Sequence, residues 1–210
     1  MESDEIKKLV ADLKGSNQNG RLNATIALED AAYRGVDVSL AIPVLAGALC
    51  DSNRYIVWNA AWALELAAKK GSDISSSINN LKKLISDDLM YYAKDDATEA
   101  LTYHYLNKRD FRNIISLLNY KDVNIKSCVI YAIGVYAKKG FNITPLSSNL
   151  RRFLLNTDVD VRRAAAYVFI EFADKNKQNA ALVLKEIKKV KKNISELKEV
   201  IKKCEEVLKK

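Results

Sequence analysis

Glycine and proline are scarce in this sequence. Its 210 residues include seven Gly and two Pro, too few for the many tight turns that a β-sandwich or a β-barrel requires. Hydrophobic residues make up 49% of the chain, which is enough for a continuous core. The composition therefore favours long helices joined by short breaks.

Residue types that build catalytic and metal centres are also scarce. His104 is the only histidine, which excludes an iron site built from paired His-Glu motifs. The three cysteines are widely spaced with no C-x-x-C pair, so neither a zinc ribbon nor a disulfide framework is indicated. There is no G-x-G-x-x-G and no P-loop. We expect no cofactor, no metal and no catalytic residue, although counting does not rule out a cysteine or serine paired with His104.

Long hydrophobic runs are absent as well. No stretch approaches the roughly 18 consecutive apolar residues of a membrane span. The first residues, MESDEIKKLV, lack the cationic start and apolar run of a secretory signal. We expect a soluble cytoplasmic protein with no membrane partner.

The positive charge is unevenly placed along the chain, whose formal net charge is +8. Residues 181–210 contain ten Lys and five Glu, whereas the first 180 residues contain 24 basic and 21 acidic side chains. The main body therefore has little of the basic excess expected of a nucleic-acid groove.

One pattern of small residues recurs five times. Each copy has two small or apolar residues three positions apart and then a larger apolar residue, and the second member advances by 36, 37, 32 and 36 residues. The copies are Ala24, Ala27, Leu28; Ala60, Ala63, Leu64; Ala97, Ala100, Leu101; Val129, Ala132, Ile133; and Ala165, Val168, Phe169. Small residues at i and i+3 let a neighbouring helix approach closely. A period of this length is typical of helical repeat proteins.

Another helical stretch precedes each copy, so each repeat is predicted to be a short helix A, a turn and a longer helix B. Gly35, Gly71 and Gly140 follow the B helices, where a left-handed residue closes the last turn. Thr144 and Pro145 predict a helix N-cap with Pro at the first helical position. The predicted repeats span residues 6–37, 38–73, 74–109, 110–142 and 143–178, in an array over residues 1–179.

Two segments resemble the HEAT-repeat family. NTDVDVRRAAAYVF at 156–169 resembles the turn and B helix of a HEAT repeat, and AIPVLAGALCDSNRYIVWNAAWAL at 41–64 resembles an A helix with its proline, a turn and a B helix. The resemblance implies an all-α solenoid, a right-handed superhelix of about five HEAT-like helix pairs, followed by a C-terminal amphipathic helix or helix pair. Scaffolds, a few lyase subunits and some DNA-repair glycosylases share this fold, so the function has to be argued from side chains.

The family's basic position after the turn is kept in four repeats, but its acidic position before the turn is kept in two. The basic residues are Arg21, Lys94, Lys126 and Arg162, and the acidic residues are Asp51 and Asp88. We therefore expect an incomplete ladder of Asp-Arg pairs between repeats.

In such a solenoid the B helices line one side, usually concave, and their residues away from the small-residue seam form a binding surface. Trp58 and Trp62 are four residues apart and share one helical face. Exposed aromatics are frequent binding anchors, and the alternative is that one or both fill the junction with a neighbouring repeat. The predicted partner-binding residues are Trp58, Asn59, Trp62, Asp95, Glu99, Tyr103, Tyr131, Arg163 and Tyr167. We expect a scaffold or adaptor that binds a protein or peptide partner.

Other functions stay open. The densest basic group of the repeats consists of Arg151, Arg152, Arg162 and Arg163, and with the Lys-rich end it could bind nucleic acid. A group of carboxylates next to the tryptophans consists of Asp95, Asp96 and Glu99. The glycosylase branch of the resemblance implies that such a carboxylate could stabilise a cationic base during excision, whereas a solvated helix face is the plainer interpretation. A non-catalytic subunit of a lyase-type complex is a further alternative.

Residues 180–210 follow a heptad pattern with Lys on the outside. The apolar positions are Ala180, Val183, Ile187, Val190, Ile194, Leu197, Ile201, Cys204 and Leu208. The unbroken pattern predicts one amphipathic helix, whereas Asn193 and Glu196 could form a capping box that starts a second. We expect this basic segment to cap the last repeat. Dimerisation as a coiled coil and binding to an acidic surface are the alternatives, so the chain is a monomer or a dimer.

Overall fold

The chain is entirely helical in the part that the structure describes. The computed structural model describes residues 3–87, 90–190 and 195–210, which contain twelve α-helices, four 3-10 turns and no strand. No helix in these three ranges is long and apolar enough to cross a membrane. The helices group into two compact units: unit 1 is Met1–Lys108 and unit 2 is Arg109–Lys210.

Unit 1 contains three helix pairs, each a shorter helix followed by a longer one. They are α1 (Ser3–Lys14) with α2 (Gln18–Tyr33), α3 (Ile42–Ala48) with α4 (Arg54–Lys69), and α5 (Ile78–Ile85) with α6 (Tyr91–Asn107). Each shorter helix packs on its longer partner, and the longer helices pack side by side, α2 on α4 and α4 on α6. We call α2, α4 and α6 the B helices of unit 1.

Unit 2 contains three further pairs. They are α7 (Phe111–Leu118) with α8 (Val123–Lys138), α9 (Ser147–Arg151) with α10 (Val159–Ala173), and α11 (Lys177–Ile187) with α12 (Ser195–Lys209). The B helices of this unit are α8, α10 and α12, because α8 packs on α10 and α10 on α12. Each of the five predicted repeat ranges thus holds one pair of helices, and α11 with α12 makes a sixth. Where one repeat ends and the next begins stays a prediction.

The small residues of the repeated pattern form the contact between B helices. Of the fifteen residues in the five copies, the larger third members included, fourteen are at most 1% exposed, and the exception, Ala27, is half-buried. Ala27 lies on α2, the first B helix of unit 1. Within this unit α2 packs against one other B helix, α4. Alanine adds little bulk at the contact, so adjacent helix axes can approach to about 8 Å.

Three of the loops that follow B helices share one conformation. Gly35, Gly71 and Gly140 have φ of 94°, 100° and 89°, the left-handed region that closes a helix and favours glycine. Two residues later an Asp or Asn side chain accepts a backbone N–H from a hydroxyl residue at 2.9–3.0 Å; these acceptors are Asp37, Asp73 and Asn142. The predicted helix ends at the three glycines are confirmed.

The third of these loops corrects one prediction. Thr144 is not a helix N-cap, because Thr144 and Pro145 both lie within a 3-10 turn, Thr144–Leu146, ahead of α9. An Asx turn, in which the Thr144 N–H donates to Asn142 Oδ1 at 2.9 Å, precedes this 3-10 turn, and α9 begins at Ser147.

An arginine near the start of α2 and of α10 ties each turn to the next helix pair of the same unit. Arg21 donates to Gly15 O and Ser16 O at 3.2 and 2.9 Å, and its Nε lies 2.7 Å from Asp51 Oδ2. Arg162 repeats this arrangement on Asn156 O and Thr157 O, with its Nε 3.1 Å from Glu196 Oε1. The sequence offered Glu196 as a possible member of a capping box, and in the structure it pairs with Arg162. The Asn193 of that predicted capping box and the Asp88 of the predicted ladder lie outside the described residues.

Residues 180–210 contribute two helices rather than one. Both α11 and α12 pack on α10. In α12 the buried apolar side chains are Leu197, Val200, Cys204 and Val207. The heptad prediction placed Ile201 and Leu208 in this set, but Ile201 is half-buried and Leu208 is 37% exposed. The register differs because α12 packs as a separate helix, so its apolar face need not continue that of α11.

The burial of α12 predicts a large difference between two of its leucines. Leu197 is 3% exposed and Leu208 is 37% exposed. Leu197→Ala should lower the free energy of unfolding by about 2–5 kcal/mol, because it opens a cavity between packed helices. Leu208→Ala should cost well under half of that, as measured by urea unfolding. Equal losses would contradict this packing of α12.

Candidate functional site

Aromatic side chains cluster on neighbouring B helices of unit 1. Trp58 and Trp62 on α4 are stacked, with ring centroids 6.4 Å apart and an interplanar angle of 14°. Tyr92 on α6 lies 6.2 Å from Trp58 and 5.7 Å from Tyr91. Both tryptophans are half-buried. They therefore contribute to packing and still present part of their rings to solvent. We call these rings, together with Tyr55, the aromatic cluster.

A pocket of about 520 Å³ opens beside this cluster. Its lining residues are Arg54, Tyr55, Trp58, Met90, Tyr91, Tyr92 and Ala93. Tyr55, Tyr91 and Tyr92 are 60–77% exposed. The sequence analysis missed these three tyrosines. A signal was available for Tyr55, because Tyr55, Trp58 and Trp62 follow the i, i+3, i+7 spacing of one helical face.

Carboxyl groups lie farther along the same helices. Glu65 on α4 is 6% exposed, and its Oε1 is 3.2 Å from Lys69 Nζ. Asp96 and Glu99 on α6 are half-buried, and Asp95 is exposed. Glu29 on α2 adds to the negative charge felt by Asp96. Three adjacent helices thus bring acidic groups to one surface.

The pKa values of these carboxyls are raised above their usual range. Burial and the nearby charges of Glu65 and Asp95 together raise the pKa of Asp96 to about 7, against a hydrogen bond from Trp58 that lowers it. Burial and the charge of Glu65 also raise the pKa of Glu99, against the attraction of Lys69. The pKa of Glu65 is raised by burial, against its ion pair with Lys69 and a hydrogen bond from Glu99. Near neutral pH Asp96 and Glu99 are therefore still partly protonated.

The other predicted residues of unit 1 differ in accessibility. Asn59 is half-buried beside Trp58. Tyr103 is only 2% exposed, with Lys69 Nζ 5.3 Å from the centre of its ring. Residues 100–106 of α6 are all buried, so the helical face that was expected to reach solvent is covered at this point. Tyr103 therefore does not belong to the accessible surface, and this part of the prediction is corrected.

In unit 2 the predicted residues form a tyrosine stack. Tyr131 on α8 and Tyr167 on α10 have ring centroids 5.6 Å apart with an interplanar angle of 18°. Tyr131 is 49% exposed. A Cβ atom on Gly134 would lie 2.5 Å from the Tyr167 ring, so the glycine is needed for this ring to lie across α8. Arg163 is exposed, with Nη1 3.8 Å from Asp160.

Most of the predicted basic patch is engaged within unit 2. Arg151 Nη1 lies 2.6 Å from Glu186 Oε2, and Arg162 pairs with Glu196 as described above. Arg152 Nη2 donates to Asn119 Oδ1 at 2.6 Å. Arg152 and Arg163 are exposed, whereas Arg151 and Arg162 are half-buried. The patch therefore offers two exposed cations rather than four.

The two units differ in charge. Residues 1–108 contain 12 basic and 15 acidic side chains, and residues 109–210 contain 22 basic and 11 acidic side chains. Their net charges are therefore −3 and +11, consistent with the total of +8. The sequence analysis placed most of the basic excess in residues 181–210. The charge of unit 2 shows that residues 109–180 are basic as well. Among the described residues, no group of three or more His, Cys, Asp or Glu is placed to hold a metal ion.

The raised pKa values predict that the chain is less stable near pH 8 than near pH 5. In an unfolded chain carboxyls ionise near pH 4, whereas Asp96 keeps its proton up to about pH 7. The unfolded state therefore binds fewer protons in this window, and stability falls as the pH rises. Asp96→Asn with Glu99→Gln should raise Tm at pH 8 by roughly 2–4 °C and flatten the dependence on pH, as measured by calorimetry.

Asp12→Asn is the matched control for this experiment, since Asp12 is an exposed carboxylate of unit 1 that lies on α1, away from the carboxyls of α4 and α6. It should leave the slope of Tm against pH unchanged. An unaltered slope in the Asp96 and Glu99 double variant would show that these carboxyls do not carry the effect.

Comparisons with known proteins agree on the fold. No protein-family model and no curated protein sequence matches the chain. Among solved structures, a designed armadillo repeat protein in complex with the peptide (KR)4 superposes with a TM-score of 0.63 at 17% identity, covering 97% of this chain and 99% of that chain. An archaeal HEAT-like repeat protein from Thermococcus onnurineus NA1 gives 0.60 at 15% identity, covering 99% and 89%.

A third similar structure comes from a study of microtubule plus-end tracking by XMAP215, CLIP-170 and EB1. It has a TM-score of 0.62 at 17% identity and covers 96% of this chain and 90% of that chain. At identities this low, likeness shows the fold and no more. The predicted all-α repeat fold is confirmed: this chain has the fold of the armadillo and HEAT-like repeat proteins.

Proposed function

We propose that this chain is a repeat scaffold that binds an extended segment of a protein partner on the B-helix surface of unit 1. The observation that carries the proposal is the Trp58 and Trp62 stack, half-exposed beside Tyr92 and a pocket of about 520 Å³. The proposed contact residues of this unit are Trp58, Asn59, Trp62, Asp95 and Glu99. Tyr131, Arg163 and Tyr167 form a separate proposed contact surface on unit 2.

Physical chemistry supports a binding role for these rings. Tryptophan and tyrosine each bury a large area with few rotatable bonds, which is why they dominate the energetics of many interfaces. Tyr55, Tyr91 and Tyr92 are mostly exposed, although in water such side chains gain from being covered. A contiguous set of exposed aromatic residues around a pocket is typical of an interaction surface.

Similar structures add support at the level of ligand class. The designed armadillo repeat protein named above is in complex with a peptide. A protein of this fold can therefore bind a peptide. Of the four arginines named for the nucleic-acid alternative, Arg151 and Arg162 are committed to ion pairs within unit 2. In the described part of the chain we find no further residue that would support the glycosylase or the lyase-subunit alternative.

Selection from a displayed library of random peptides tests this proposal. The full-length chain should enrich a family of peptide sequences, and Trp58→Ala with Trp62→Ala should reduce the affinity of the enriched peptides at least about tenfold. The reason is that truncation of two indoles removes the main apolar contact area. Affinities would be measured by fluorescence polarisation.

Tyr33→Ala is the matched control, since Tyr33 is an exposed aromatic residue of unit 1 outside the cluster. It should leave peptide affinity unchanged. Circular dichroism would establish that the tryptophan variant stays folded. A folded tryptophan variant that binds the enriched peptides as well as the original chain would overturn the proposal.

A further inference from the structure

We propose that α12 is a self-association surface, and that its uncovered face receives a second copy of this chain in an antiparallel pair of α12 helices. The juxtaposition that carries the proposal is an apolar groove between α11 and α12 with a lysine and a glutamate on either side of its central isoleucine. The proposal concerns unit 2 alone, and it does not rest on the peptide-binding function proposed for unit 1.

The packing of unit 2 covers one side of α12 and leaves another side open. Among the described helices of this unit, α10 packs between α8 and α12, whereas α12 packs against one B helix, α10, and against its own partner α11. An ion pair joins Lys203 of α12 to Asp174 at the end of α10, at 2.7 Å. The open side carries the residues of the heptad pattern that α10 and α11 do not fully bury, Ile201 and Leu208.

A groove of about 340 Å³ opens between α11 and α12 beside Ile201. Its apolar lining consists of Leu184, Ile187, Val190, Leu197 and Ile201. Leu184, Val190 and Ile201 are half-buried, so covering the groove would remove further apolar surface from water. The groove is therefore suited to receive another apolar side chain.

The charged residues at this groove indicate which surface covers it. Lys198, Ile201 and Glu205 line the groove and follow the i, i+3, i+7 spacing of one helical face. Lys198 and Glu205 are exposed, and neither forms an ion pair within the described ranges of the chain. They lie about 10 Å apart along α12, too far to pair with each other, and Ile201 lies near the midpoint between them.

An antiparallel copy of α12 is complementary to this arrangement. Rotation by half a turn about an axis near Ile201 places Lys198 of each copy opposite Glu205 of the other and brings the two isoleucines together at the groove. A two-fold interface uses the same patch on both subunits, so the patch has to be complementary to itself. A parallel pair would instead set like charges opposite each other, which costs free energy.

Long-range repulsion opposes the pairing, because unit 2 contains 22 basic and 11 acidic side chains. At about 0.15 M salt the Debye length is about 8 Å, so lysines outside the contact are largely screened, whereas the two pairs of Lys198 with Glu205 act at short range. A contact made mainly by one helix of 15 residues from each copy is small, and small interfaces are weak. We expect a dimer with a Kd on the order of 10–100 µM at this salt concentration.

Sedimentation velocity of the full-length chain at concentrations from about 5 to about 200 µM tests the proposal. Lys198→Glu should raise the Kd at least about tenfold, because it sets carboxylates opposite each other at both ends of the contact. Glu205→Lys should have a similar effect, since it sets amines opposite each other. The two substitutions combined exchange the charges, so the double variant should recover a Kd within about threefold of the original.

Lys177→Glu is the matched control, since Lys177 is an exposed lysine of α11 in the same unit, outside the groove lining. It lowers the net charge by the same amount as Lys198→Glu. If overall repulsion governed association, both variants would associate more tightly than the original chain. The proposal requires weaker association for Lys198→Glu and a nearly unchanged Kd for Lys177→Glu. Circular dichroism would establish that each variant stays folded.

Three outcomes would overturn the proposal. The first is a chain that stays monomeric at about 200 µM, since the groove then does not receive a second copy. The second is a dimer that Lys198→Glu leaves intact, because its contact lies elsewhere on the molecule. The third is a dimer that both single variants weaken and the double variant fails to restore, which would exclude the antiparallel pairing of Lys198 with Glu205.

Discussion

Close contact between successive B helices is the constraint on which the rest of this structure depends. The alanines between α4 and α6, such as Ala60, Ala63 and Ala97, have no exposed surface. With side chains this small at the contact, neighbouring helices bring their outer faces together. Rings and carboxyls on different helices therefore interact, as Trp58 does with Tyr92 at 6.2 Å. Larger residues at the contact would separate the very groups that form the candidate site.

The same close approach has an energetic cost in unit 1. It places Glu65, Asp96 and Glu99 near one another in partly buried positions, where their charged forms are disfavoured. Burial of charge without full compensation opposes folding, and groups with perturbed pKa values are frequent at functional sites. The clustering of carboxyls next to half-exposed tryptophans is thus more readily explained by binding than by stability. Unit 2 differs, since its arginines Arg151 and Arg162 are used to join helices.

Periodicity predicted the architecture well and individual surface residues less well. The spacing of small residues identified the contact between B helices, because a helix repeats its faces every 3.6 residues whatever it packs against. The left-handed glycines were predictable because the reason is local. Tyr103 was placed on the surface by the same periodicity, yet it is buried beneath Lys69. Periodicity gives the direction of a side chain on its own helix, and says nothing of the neighbouring side chain that covers it.

Sequence reasoning alone predicts the helical class, the period of the repeat, the ends of three helices and the aromatic face of α4. Each of these depends on residues close together in the chain. Only the tertiary structure decided which side chains meet across helices. It paired Arg162 with Glu196, shifted the buried face of α12 to Val200 and Val207, and set Asp96 against Trp58 and Glu65. Such contacts depend on the separation and rotation of packed helices, quantities that the pattern of one helix does not contain.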